Sequence, residues 1–135
     1  MSYRQVKVYE AKAKGGCGLT FTYATKAERE IMPYPREMRF PVIDRDESIK
    51  EFTVAADAVH VYGAKIACDL TSGSGMYADD VDEKYPPLAH SECQTQYHPD
   101  IRAREMRVDE IKYVIRTYAA AAGRLKTAGL TLCWS

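Results

Sequence analysis

The stretch Val108-Asp-Glu-Ile-Lys-Tyr-Val-Ile-Arg-Thr-Tyr-Ala-Ala-Ala-Ala-Gly-Arg-Leu-Lys-Thr127, followed by Ala128-Gly129 and Leu130-Thr-Leu-Cys-Trp134, decides the fold. Ile111, Val114, Ile115, Tyr118, Ala119, Ala122 and Leu125 recur at helical spacing and predict one continuous apolar stripe. Arg124 and Lys126 suit the last turn, where cations meet the negative end of the helix dipole. Glycine then stops the helix, and a short apolar run reads as a strand. The same order occurs twice upstream. Tyr3–Lys14 leads through Gly15-Gly16 to Leu19–Ala24, and Glu47–Tyr62 leads through Gly63 to Ala64–Leu70. A repeated helix–glycine–strand unit builds a parallel sheet covered by helices. Such sheets carry their chemistry at the carboxyl ends of the strands.

Within the first unit Val6, Tyr9 and Ala13 share a face, and the strand Leu19-Thr-Phe-Thr-Tyr-Ala24 alternates bulky and small groups. In the second, Asp46 is the expected N-cap, and Ile49, Phe52, Ala56 and Val59 form the buried stripe. Two long loops follow the first two strands. Lys26–Asp44 carries Pro33, Pro35 and Pro41, and a second loop runs from Thr71-Ser-Gly-Ser-Gly75 to about Arg107. Loops of that length directly after strands fit active-site loops over a parallel barrel.

Composition narrows the class. A chain of 135 residues is one domain, and a hydrophobic share of 46% is that of an ordinary globular protein. Lys plus Arg equals Asp plus Glu at 19 each, so no net charge recruits nucleic acid or acidic lipid. No apolar run reaches the ~18 residues of a membrane span, and the N-terminus lacks a signal-peptide core. The expected compartment is the cytoplasm. Cys17, Cys68 and Cys133 lie in or beside apolar runs and read as buried thiols, Cys93 stands apart, and no disulfide framework is expected.

Several spaced motifs resemble the old yellow enzyme family. Tyr9-Glu-Ala-Lys-Ala-Lys-Gly-Gly-Cys-Gly-Leu19 with Thr22-Tyr-Ala-Thr25 is similar to Y-x-x-R-A-x-G-G-V-G-L-I-I-T-E-A-T. Ala56-Asp-Ala-Val-His-Val-Tyr-Gly-Ala-Lys-Ile66 resembles D-A-V-H-x-x-G-A-K-I. Arg104-Glu-Met-Arg-Val-Asp-Glu-Ile111 resembles R-E-M-T-x-x-E-I, and Ala119–Gly129 resembles the segment before the fourth barrel strand. Leu70-Thr-Ser-Gly-Ser-Gly75 looks most like the enoate-reductase and bile-acid-reductase branch.

The resemblance implies an α/β fold, a partial (β/α)8 TIM barrel of about three helix–strand units with parallel strands. It implies FMN at the barrel top, and hydride transfer from NAD(P)H through flavin to an activated alkene. A full barrel needs about 250 residues. The chain then corresponds to helix one through the start of strand four, a single-domain, N-terminal-half fragment without the family's catalytic segment or phosphate loops. Ala24 and Asp69 would line the flavin; no catalytic or metal-binding residue is assigned. Asp69 stands where the family has Gln, Tyr23 where it has Glu, and Met76 where it has Arg. Arg107 replaces a capping Thr, which removes the capping box at a cost of about 1 kcal/mol. Ala24 matches the family residue.

At the C-terminus Leu130-Thr-Leu-Cys133 replaces Phe-Asp-x-Val. Leu-Thr-Leu-Cys can be encoded so that moving the reading frame back one base gives Phe-Asp-Ala-Val, so a frameshifted coding sequence is one expectation. The alternatives to an FMN-dependent oxidoreductase are a non-enzymatic remnant and a module that associates with itself or with a complementing barrel half. An open three-strand sheet exposes its edges and its interior face, where Phe21, Ile66 and Tyr23 are expected.

Other groupings read as surface or packing features. His60 is a helix residue, and His90, Cys93 and His98 are too widely spaced for zinc. Asp79-Asp80-Val-Asp-Glu83 is a solvated acidic loop, and Ser72-Gly-Ser-Gly75 is a flexible turn.

Overall fold

The computed structural model describes residues 1–30, 40–72, 75 and 86–134. Helix α1 spans Tyr3–Lys14. Ser2 caps it: its hydroxyl accepts from Gln5 N–H at 3.3 Å, and Gln5 Oε1 accepts from Ser2 N–H at 2.8 Å. Strands β1 (Leu19–Phe21) and β2 (Thr25–Lys26) follow. Helix α2 (Ile49–His60) leads to β3 (Lys65–Thr71). Three short strands come next, β4 (Leu88–Ala89), β5 (Cys93–Gln94) and β6 (Arg102–Glu105). Helix α3 (Val108–Thr127) and β7 (Leu132–Trp134) complete the order.

The central sheet is parallel. Strand β3 is its middle, with β1 on one side and β7 on the other, since both pair with Ala67. The end turns of α1 and α3 share one geometry. Leu130 N–H donates to Leu125 O and Gly129 N–H to Lys126 O, and the same pair of bonds joins Cys17 to Lys12 and Gly16 to Ala13. This double bond pattern requires a left-handed residue after the cap, which Gly16 and Gly129 supply at φ 92° and 91°.

Alternation along β3 sorts the two faces. Ile66, Cys68 and Leu70 are buried with Val6, Tyr9, Phe52, Ala55, Ala56, Val59, Ala121 and Leu125, the layer between sheet and helices. Lys65, Ala67, Asp69 and Thr71 therefore look the other way, toward the concave side. Ile66 belongs to the helix layer, a correction to the interior position expected for it. Phe21 is exposed on the truncated concave face at 46%, with Leu19 at 44%, whereas Tyr23, 55% exposed, has its ring 6.2 Å from that of Tyr9 in the helix layer, a correction to the interior position expected for it.

The strand expected over Leu19–Ala24 is broken. Phe21 pairs with Ala67, but Thr25 pairs with Leu70. Three residues, Thr22, Tyr23 and Ala24, thus oppose two, Cys68 and Asp69. That is a β-bulge, and it turns Thr25 onto the buried side with Leu70.

Helices differ from expectation in three ways. Asp46 does not cap α2; it opens a 3-10 turn, Asp46–Ser48, and its carboxylate accepts from Arg124 Nε at 2.8 Å. The predicted stripe on α3 is split. Leu125 and Ala121 are buried and Tyr118 is half-buried, while Ile111 and Ile115, nearer the start of the same stripe, are exposed, Ile115 by 63%. Burial thus changes along the helix rather than around it. The box at its start is halved rather than lost: Glu110 Oε2 still accepts from Arg107 N–H at 2.8 Å. A guanidinium accepts nothing in return.

The second long loop contains structure that its polar sequence concealed. Strand β6 joins parallel β4 and antiparallel β5 in a small separate sheet. Cys17 is exposed and Cys93 partly so, and with buried Cys68 they are free thiols; only Cys68 matches the buried reading among the described side chains. The Asp79–Glu83 cluster, Met76, Gly73-Ser74, Pro33 and Pro35 lie outside the described residues. No helix among the described residues is long and apolar enough to cross a membrane.

Candidate functional site

The carboxyl ends of β1 and β3 meet at the bulge. Ala24 is part of the insertion and Asp69 lies directly opposite it, so the fold brings these two predicted residues to one break in one ladder. Both are partly exposed. Asp69 is on the concave face, which it shares with the exposed Phe21.

A bulge leaves backbone groups without ladder partners, and here side chains supply them. Tyr23 N–H donates to Tyr9 Oη at 2.9 Å. Tyr23 C=O accepts from Thr25 Oγ1 at 3.0 Å. Asp69 N–H donates to Thr22 Oγ1 at 3.3 Å. Thr22 Oγ1 also lies 3.5 Å from Cys68 Sγ, to which it donates. Burial pushes the Tyr9 phenol above its ordinary pKa, which keeps it neutral. None of Tyr9, Thr22 and Thr25 stood out in the sequence as a functional residue. The one available signal was a Tyr on the buried face of α1, whose hydroxyl needs a partner.

The remaining groups are elsewhere. His60 is exposed at the end of α2, and His90 lies in the small sheet's loop. A groove of about 320 Å³ separates α3 from residues 27–30 on the outer side. Its lining includes Glu28, Glu30, Asp44, Tyr113, Arg116 and Arg124 but neither Ala24 nor Asp69. Burial, reinforced by Glu30, pushes Tyr113 to about 12.

Parallel strands with helices on one side only, among the described residues, are the geometry of a barrel arc. The sequence profile of the NADH:flavin oxidoreductase / NADH oxidase family matches residues 1–132. The chain belongs to that family. A cinnamate reductase of Clostridium sporogenes is 29% identical over 130 residues, covering 93% of this chain and 19% of that protein. The flavin oxidoreductase hxnT of Emericella nidulans is 31% identical over 131 residues, 92% of this chain and 33% of that one.

Solved structures of the family agree on the fold. Histamine dehydrogenase from Rhizobium sp. 4-9 superposes with a TM-score of 0.73 at 28% identity, over 96% of this chain and 19% of that one. An old yellow enzyme homologue from Zymomonas mobilis gives 0.75 at 24%, over 98% and 38%. The chain thus spans about a fifth to a third of the curated relatives' length and represents part of the family's TIM barrel.

Proposed function

We propose that this chain forms the flavin-facing arc of an FMN-dependent NAD(P)H oxidoreductase of old yellow enzyme or enoate reductase type, acting on activated alkenes once the barrel is complete. The observation that carries this reading is the meeting of Ala24 and Asp69 at the carboxyl ends of two parallel strands, where a TIM barrel keeps its site.

The residues present fit the flavin in part. Ala24 offers a small, accessible backbone segment for the ring's face. The Asp69 carboxylate matches the N–H of the pyrimidine edge and mismatches the two carbonyls beside it, because in its ionised form it only accepts. Flavin, when bound, supplies the hydride relay between nicotinamide and substrate. The chain's own part is to position the ring through the bulge and to exclude water with the concave side chain of Phe21.

A second reading is supported by exposed side chains. Leu19 and Phe21 on the concave sheet face and Ile115 on α3 are exposed large apolar groups that association would cover. The occupant is a complementing barrel half or another copy, and such a module need not be enzymatic.

The visible spectrum separates the readings. The chain purified alone is expected to be colourless. Produced together with the missing barrel segments of a family relative, it is expected to carry a stoichiometric flavin band. No band in that reconstituted barrel would leave the association module as the better account.

A further inference from the structure

We infer that Tyr9 and Thr22 are positioning residues: together they latch the bulge that sets Ala24 and Asp69 against the flavin, an inference that rests on the flavin reading above. The argument begins with bond counting. Between Phe21–Ala67 and Thr25–Leu70 the ladder has one residue too many on one strand. The extra residue leaves Tyr23 N–H, Tyr23 C=O and Asp69 N–H with no strand partner.

A part-buried backbone group left without a partner is costly, so an unsupported bulge would move to restore the ladder. Moving the insertion by one residue would turn Thr25 out of the helix layer and shift Ala24 relative to Asp69.

The side chains that prevent this come from both layers. Tyr9 is 1% exposed on α1 and reaches across the helix layer to Tyr23 N–H at 2.9 Å. Thr22 is inside the bulge and takes Asp69 N–H at 3.3 Å. Thr25 closes the set by donating to Tyr23 C=O at 3.0 Å. Each bond ends on a backbone group of the break, so the three fix its place along the strand rather than stabilising the sheet at large. Tyr9 therefore ties the placement of the strand end to the docking of α1. Neither Tyr9 nor Thr22 needs to touch flavin for this effect.

The test is amide hydrogen exchange in the full chain, read residue by residue by NMR. In Tyr9→Phe, Tyr23 N–H is expected to exchange at least about tenfold faster. In Thr22→Val the same acceleration is expected at Asp69 N–H, and Thr22→Ser should restore protection by returning the hydroxyl. Core amides such as Val59 and Leu125 should be unaffected in all three. Acceleration of every amide together, or of none, would overturn the latch, since the first is general destabilisation and the second shows the bonds do not hold the bulge.

Titration with free FMN, followed by flavin fluorescence, adds the functional readout. Tyr9→Phe and Thr22→Val are expected to weaken binding at least threefold and Thr22→Ser to leave it unchanged. If the unmodified chain does not bind FMN even at millimolar concentration, the flavin reading fails, while the exchange data still decide whether the latch exists.

Discussion

Arg104 grips Glu110 in a two-pronged ion pair, Nη1 to Oε2 at 2.9 Å and Nη2 to Oε1 at 2.6 Å. The pair joins the last strand of the small sheet to the first turn of α3. Glu110 is only 8% exposed and takes a third bond from Arg107 N–H. The Arg104 fork, helped by that N–H, holds the carboxyl down at about 2, against an ordinary 4.5.

A pH dependence follows from that shift. The folded pKa is depressed, so the stabilisation is fully present above the unfolded value and is lost as pH falls through the folded one. Urea melts should show the contribution intact near neutral pH and fading from about 4.5 down to about 2. Glu110→Gln should cost about 1.5–3 kcal/mol at neutral pH, the value of hydrogen bonds to a charged group, and should flatten this window. Identical acid profiles for the two proteins would show that the pair does not secure the small sheet.

Asp69→Gln is expected to tighten FMN binding in a reconstituted barrel. The amide restores a donor toward the flavin carbonyls while keeping an acceptor for the N–H. It also removes negative charge beside a ring that must hold electrons. The gain should be roughly 0.5–1.5 kcal/mol, one net hydrogen bond. Flavin titration of both proteins checks it; equal or weaker binding by the Gln variant would remove Asp69 from the ring's edge.

The chain alone is expected to self-associate. Its concave face exposes Leu19 and Phe21, its two flanking strands β1 and β7 pair only with β3 among the described residues, and its net charge is zero. Light scattering after size exclusion should give a mass above 15.2 kDa, and Phe21→Lys should shift the population toward that monomer mass. A monodisperse monomer of the unmodified chain would mean that the concave face does not need a cover.

The sequence revealed the arc because each repeat carried its own local signal. Helical stripes, glycine stops and apolar runs placed α1, α2, α3 and β3 within a few residues, and the central strands are parallel as the repeat demanded. What failed was what depends on neighbours. Ile111 and Ile115 share one helical stripe with Leu125, but only contact with neighbouring elements decides how much of that stripe's length is buried. Thr22–Ala24 alternates like any strand, and the bulge exists because β3 offers one residue fewer in register. The small sheet of β4, β5 and β6 is too short for periodicity to show.

The candidate pair was legible for a different reason. Ala24 and Asp69 were reached through resemblance to a family, and only the register shows that they meet. Tyr9 was recognised as a core residue from its place on α1. Its hydrogen bond to Tyr23 could not be, because that partner exists only once the bulge forms.

The central claim is that the carboxyl-end face of β1 and β3 receives the flavin, and mapping FMN onto the chain tests it most directly. With millimolar FMN, amide shifts in the NMR spectrum should concentrate at Tyr23, Ala24, Asp69 and Leu70, with Tyr113, Arg116 and Arg124 of the outer groove unchanged. Shifts centred on that groove, or no shifts at Ala24 and Asp69 at any concentration reached, would contradict the account.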